Sequence, residues 1–454
     1  MRSCGNIGPG WKTGNSFASG GRKENPVPRR SHGTLNPSSI ALKRMASSAS
    51  MSRPSSRWLV GMAAVFLLPS SFAKDLPPAE KHIRRIWEFE DAGVSFNDDF
   101  SQGRLNGCEQ AGTDEFKLTL SPENEPINPS PWYAFKVTSA TARTLKLHFV
   151  LTAEGSVLRP RLSTDGKTWT ELPKEGFVSK RDTREAWATI QAGPRPLWVA
   201  AQELLGIADL EQWMDRKARL PFAKEEPVGK SIEGRTLRSL TFGEGDAKNL
   251  VFVIGRQHPP EVTGSMALMQ FVDTITADTD LARRYRAKFK TLVIPLVNPD
   301  GVEHGHWRSN MGGVDTNRDW KAFSQPETRA VSEALVRIGK SPGVKPYLFI
   351  DFHSTGEDVF YTQQDKDPTF PPDFTRRWLG AIHGRFPDYK FKREDAHNVG
   401  VPTSKGWAYE TFGTPAITYE LGYSTDRKLI RTVCEGAAEE MMKLLLEDEA
   451  KPKP

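Results

Sequence analysis

Leu250-Val-Phe-Val-Ile254, followed four residues later by His258-Pro-Pro-Glu261, decides how the second half of this 454-residue chain is read. Five consecutive apolar residues make a buried strand. From Glu261 to Ile275, Met266, Leu268, Met269 and Val272 recur at helical spacing. A strand, a turn carrying His and Glu, and a helix therefore follow one another. The pattern repeats downstream. Leu292–Val297, Tyr347–Phe352 and Ala416–Tyr419 read as strands. Helices are expected from Gln325 to about Ile338 and from Arg427 to Leu446. Continuous apolar strands between helices imply an α/β fold with a mixed, mostly parallel sheet flanked by helices on both faces.

Upstream, from about Arg84 to Pro196, the pattern becomes short alternating segments with turn signals. Phe116–Leu120, Trp132–Val137, Thr144–Val150 and Leu158–Leu162 are the strand candidates, and Asp165-Gly166 marks a hairpin. An antiparallel β-sandwich domain is expected over 80–195, and the α/β domain over 196–447. A charged, frayed tail follows at 448–454.

The first 50 residues are rich in Ser, Gly, Pro, Asn and Arg, and read as disordered or as not translated. Arg57, the eleven apolar residues Trp58–Leu68 and the small-x-small site Ser71-Phe72-Ala73 form a secretory signal over 51–73. Translation is expected to begin at Met51 or Met45, with cleavage after Ala73 and a secreted or periplasmic product. An uncleaved anchor is the other reading of this stretch; after cleavage no stable membrane span is expected.

The net charge of +6 comes from the leader. Residues 1–56 hold nine Lys/Arg against one acid, Glu24; the remaining 53 bases face 55 acids. The bulk charge thus gives no argument for a nucleic-acid partner. Cys4, Cys108 and Cys434 are too few for a disulfide scaffold or a thiolate zinc site, so Cys108 and Cys434 are expected as free, mostly buried thiols.

In such a sheet, ligands bind beyond the carboxyl ends of the strands. His258 and Glu261 follow one strand, Arg308, Asp315, Asn317 and Arg318 lie beyond the next, His353 follows a third, and Glu420 follows a fourth. Two His and one Glu with an open fourth position form a catalytic zinc shell. His-Glu-x-x-His is absent, which excludes the helix-borne zincin arrangement.

The ordered set His258-x-x-Glu261, Asn317-Arg318, His353 and Glu420 resembles the zinc carboxypeptidase (funnelin) family. Asn298-Pro-Asp-Gly-Val302 and Gly313-Val-Asp-Thr-Asn-Arg-Asp-Trp320 strengthen the resemblance. Arg104-Leu-Asn-Gly107 and Pro126-Ile-Asn-Pro-Ser-Pro-Trp-Tyr-Ala-Phe135 are similar to the N-terminal domain of its cytosolic-carboxypeptidase branch. The resemblance implies one Zn2+ per chain on His258, Glu261 and His353, with Asp315 fixing the His258 tautomer. It implies Glu420 as general base and Arg308 as oxyanion donor, a contact worth about 3–4 kcal/mol. Asn317 and Arg318 would grip the terminal carboxylate of a peptide or protein substrate. Lys405 falls near the family's specificity pocket and would favour an acidic last residue; it reads equally as a solvated surface lysine. The family's mobile tyrosine has no clear counterpart: Tyr409 is at a different spacing, and His397-Asn398 lie nearer the expected place.

Other residues take plainer readings. His304 and His306 are expected as structural or rim residues, His148 on the sandwich, His383 and His397 at the surface. Trp132, Tyr133 and Phe135 are expected to fill the sandwich core or the domain interface; a carbohydrate platform is their sharper reading. Two rival functions remain: an exported amidase trimming cell-wall peptides, and a catalytically dead fold retained as a binding module.

Overall fold

Eight strands build the sheet that carries the candidate site. Their order is Ala223–Lys230, Thr236–Phe242, Phe289–Ile294, Asn249–Gly255, Lys345–Thr355, Ala416–Gly422, Val359–Tyr361, Lys392–Glu394. The four central strands, from Phe289–Ile294 to Ala416–Gly422, run parallel, and the strands on either side oppose them. The computed structural model describes residues 78–125 and 130–451. The leader, the signal and start-site expectations, and Cys4 lie outside the described residues.

The continuous apolar runs are explained by two cores. Val251 and Val253 pack with helices Val262–Ile275, Phe374–Arg385 and Arg427–Ala450 on one face. Leu250, Phe252 and Ile254 pack with helices Pro326–Gly339 and Ser404–Phe412 on the other. Alternate residues of one strand serve opposite faces, so no position is left for a polar side chain.

Several element limits differ from expectation, among them the strands Lys345–Thr355 and Ala416–Gly422, which run on through His353 and Glu420 rather than ending before them. The strand expected at Leu292–Val297 spans Phe289–Ile294. Pro295, which has no N–H for the ladder, stands at its end. The last helix continues to Ala450, so the start of the expected frayed tail is helical. Asp448 is bonded there to Arg377 and, at 2.8 Å, to Lys451.

The N-terminal domain is a sandwich of a six-stranded and a five-stranded sheet. Strand Leu197–Ala200 pairs with Ala134–Ser139 and Arg161–Ser163, so the sandwich extends past the expected boundary at 195. It is antiparallel except for one parallel pair, Glu115–Leu120 with Arg143–Leu151. Trp132, Tyr133 and Phe135 are buried in its core. That core continues into the α/β half through Val262 and Trp307. Gly305 permits the approach: its φ is +60°, and a Cβ there would lie 2.8 Å from the Gln102 carbonyl and 2.9 Å from the Trp132 ring. Cys108 and Cys434 are free and buried. Among the described residues, no helix is long and apolar enough to cross a membrane.

Candidate active site

The parallel ladder assembles the site. Strand Asn249–Gly255 ends in a turn held by the buried Arg256, which donates to the Pro259 carbonyl at 2.8 Å and the Ser265 hydroxyl at 3.0 Å. His258 occupies this turn, and Glu261 is the N-cap of helix Val262–Ile275. His353 lies on the adjacent strand, Lys345–Thr355. Glu420 stands on the next strand in direct register with His353.

One Glu261 oxygen is 2.7 Å from His258 Nδ1 and the other 2.7 Å from His353 Nδ1. The two Nδ1 atoms are 3.2 Å apart. Each ring's Nε2 faces a different carboxylate, Asp315 at 2.9 Å and Asp351 at 2.8 Å. With Nε2–H donating outward, both Nδ1 lone pairs point inward at one place beside a carboxylate. That arrangement calls for a cation. When no metal is bound, a proton takes the cation's place: burial alone would pull His353 down, yet Asp351 and Glu261 hold it well above the ordinary histidine range. The ligand atoms lie within 4.8 Å of one another. Two nitrogens and one carboxylate, each imidazole backed by a second carboxylate, fit zinc.

A cavity of about 260 Å³ opens beside this cluster, lined by Arg308, Asn317, Arg318, Lys405, Glu420 and by His258 with Glu261. Glu420 is half-buried, and its buried Oε2 has no hydrogen-bond partner among the described residues. Burial pushes its carboxyl up to about 8, against the pull of His353. Arg308 donates from Nε to Asp315 at 2.6 Å, so Asp315 ties His258 to Arg308. Burial would raise Asp315, but Arg308 and His258 outweigh it and keep it ionised. The Asn317 amide is engaged: its oxygen accepts from Ser404 N–H at 2.9 Å and its nitrogen is 3.3 Å from His353 Nε2. Arg318 is half-buried, with Nη1 on the Asn317 carbonyl at 2.9 Å.

Lys405 is not a solvated lysine. It is buried, and Nζ donates to the carbonyls of His397 at 3.1 Å and Thr362 at 3.3 Å. Burial pulls its amine down to about 8. His397 keeps the surface exposure expected of it, lines the mouth of the cavity and stacks on Tyr361, with ring centroids 3.9 Å apart. Asn398 lines the cavity too, and Tyr409 does not. His304 bonds Glu233 at 2.8 Å, His306 is fully buried, His383 is exposed, and His148 stacks on Trp187.

Sequence reasoning missed three residues here. Tyr361 and Tyr423 line the cavity. Asp351, the partner of His353, had a usable signal: it stands two residues earlier on the same strand and so shares its face.

Residues 210–439 match the Peptidase M14 model, zinc carboxypeptidase. Among curated proteins, an uncharacterised protein of Zymomonas mobilis is 26% identical over 313 residues, 63% of this chain and 79% of that protein. Cytosolic carboxypeptidase 6 of Mus musculus is 28% identical over 291 residues, 58% of this chain and 53% of that protein. The chain thus spans about half the length of that relative. Among solved structures, a metallo-carboxypeptidase from Burkholderia cenocepacia has a TM-score of 0.66 at 19% identity, covering 79% of this chain and all of that one. The fold and the His-Glu-His cluster define a metallopeptidase. The chain belongs to the zinc carboxypeptidase family and is an enzyme of the metallocarboxypeptidase class.

Proposed function

We propose that this enzyme removes the last residue of a peptide or protein chain, with preference for an acidic one such as glutamate. The observation that carries the preference is Lys405, a buried amine opening on the same cavity as the catalytic groups. An anionic side chain is the natural partner of a cation that has lost most of its water. Arg318, half-buried on the same wall, takes the terminal carboxylate, and Asn317 holds the wall by bonding Ser404. An internal peptide bond offers no such carboxylate, which restricts cleavage to chain ends.

His258, Glu261 and His353 hold the zinc. When bound, it polarises a water molecule and the scissile carbonyl as a Lewis acid. Glu420 accepts a proton from the attacking water and returns it to the leaving amine. Its unpartnered oxygen and its place on the cavity wall suit a group that changes protonation in each cycle. Arg308, anchored by Asp315, faces the charge that develops on the carbonyl oxygen. A second cavity, about 550 Å³, shares Ser130 and Tyr423 with the first and is bordered by sandwich residues. It offers a path for the chain leading to the scissile bond.

The reading includes export: residues 51–73 act as a cleaved signal, and the product works outside the cytoplasm. The relatives named cytosolic carboxypeptidases would then differ from this protein in location. Release of glutamate from peptides ending in glutamate, compared with the same peptides ending in leucine, tests the substrate assignment. Equal rates would remove it.

A further inference from the structure

Glu123 lies after strand Glu115–Leu120 of the sandwich, yet its carboxylate is spent on the α/β domain. It is 1% exposed. One oxygen accepts the backbone N–H groups of Ser309 at 2.6 Å and Arg308 at 2.9 Å; the other accepts that of Trp307 at 2.7 Å. Its neighbour Asn124 holds the same loop, donating to the Gly313 carbonyl at 2.8 Å and accepting from the Ser309 hydroxyl at 3.1 Å. The Trp307 indole donates to the Trp132 carbonyl at 3.1 Å. Three consecutive N–H groups on one carboxylate fix the direction of that backbone far more tightly than a single bond. Burial would push Glu123 up, but His306, Arg104 and these N–H groups outweigh it and keep it ionised.

The middle of the three residues is Arg308. Its backbone is set by Glu123 and its guanidinium by Asp315, which also bonds His258. We infer that Glu123 is a positioning residue of the hydrolytic reaction: the sandwich reaches across the domain boundary and aims the oxyanion donor through its main chain. This rests on the assignment of Arg308 proposed above. The sandwich is then a working part of the active site rather than a passive cover.

Glu123→Gln tests it. The amide keeps the size, but its NH2 meets an N–H donor and leaves it unpaired. Four proteins are compared: wild type, E123Q, R308A and the double variant. The substrate is whichever of two N-blocked peptides, ending in glutamate or in leucine, the wild type cuts faster. Expected for E123Q is a kcat about 10–100-fold lower, the scale of a misplaced catalytic group. KM and bound zinc should stay within about twofold, since neither depends on a transition-state contact. In the R308A background, E123Q should change kcat by less than about twofold, because its effect passes through the missing side chain. Wild-type kcat in E123Q, or the same loss in both backgrounds, overturns the inference. Wild-type kcat in R308A overturns the Arg308 assignment itself and this inference with it. If E123Q does not fold, E123D is read in its place by the same criteria, since it keeps the charge and withdraws the acceptor by one carbon.

Discussion

The Nδ1 atoms of His258 and His353 face each other at 3.2 Å across the Glu261 carboxylate. Two imidazole lone pairs at that distance repel unless a proton or a metal cation lies between them, and two nitrogens beside a carboxylate suit the metal. Removing a ligand should therefore remove the metal. His353→Ala and Glu261→Ala are expected to lower zinc content, measured by atomic emission on purified protein, from about one per chain to near zero. Asp351→Asn, which alters the carboxylate shared by His353, Gln257 and Ser404, should weaken zinc by about 10–100-fold. Chelation should lower the melting temperature and added zinc restore it, because the ion binds the folded state.

Gly264 lets helix Val262–Ile275 lie against the metal-bearing strand. A Cβ there would stand 2.5 Å from the His353 carbonyl oxygen and 3.0 Å from its Cα. Alanine is the better helix former by about 0.8–1.0 kcal/mol. The clash should nevertheless win, with Gly264→Ala costing about 1–3 kcal/mol in a denaturant titration and weakening zinc as well. An unchanged or raised midpoint would contradict the close approach.

Burial holds the Lys405 amine at about 8, so it is charged below that pH and neutral above it. Attraction for an acidic side chain is present at pH 7 and lost as pH rises through 8. The ratio of kcat/KM for a glutamate-ended over a leucine-ended peptide should fall between pH 7 and 9. kcat/KM reports the free enzyme, whose pKa this is. Lys405→Met should make the ratio small and flat with pH; Lys405→Asp should favour basic ends. A steep ratio surviving in Lys405→Met would assign the preference elsewhere.

N-terminal sequencing of protein recovered from the exported fraction should give a chain beginning after Ala73. A mature chain that keeps residues 1–50 would contradict both the start-site and the export readings.

Much of the architecture was legible because burial on both faces leaves a strong mark. Leu250–Ile254 and Leu348–Ile350 hold no polar residue, and the chemistry-bearing residues follow such runs within a few positions. The register was not legible: that His353 lies opposite Glu420 depends on the order of strands, which pairs segments 67 positions apart. Lys405 could not be placed inside or outside from its neighbours, since the carbonyls that receive it belong to Thr362 and His397. The sandwich boundary at 195 was missed because Leu197–Ala200 is a short strand completed only by distant partners. Glu123 gave no sign at all, because its three bonds go to backbone N–H groups, which every sequence has.

The most direct measurement pairs zinc content with release of the C-terminal residue for wild type and Glu420→Gln. Zinc is expected at about one per chain in both proteins, and turnover should fall by about 10²–10⁴-fold in the variant, the usual contribution of a general base. A wild-type protein that binds no zinc, or a Glu420→Gln protein that still releases the last residue at the wild-type rate, would contradict the account.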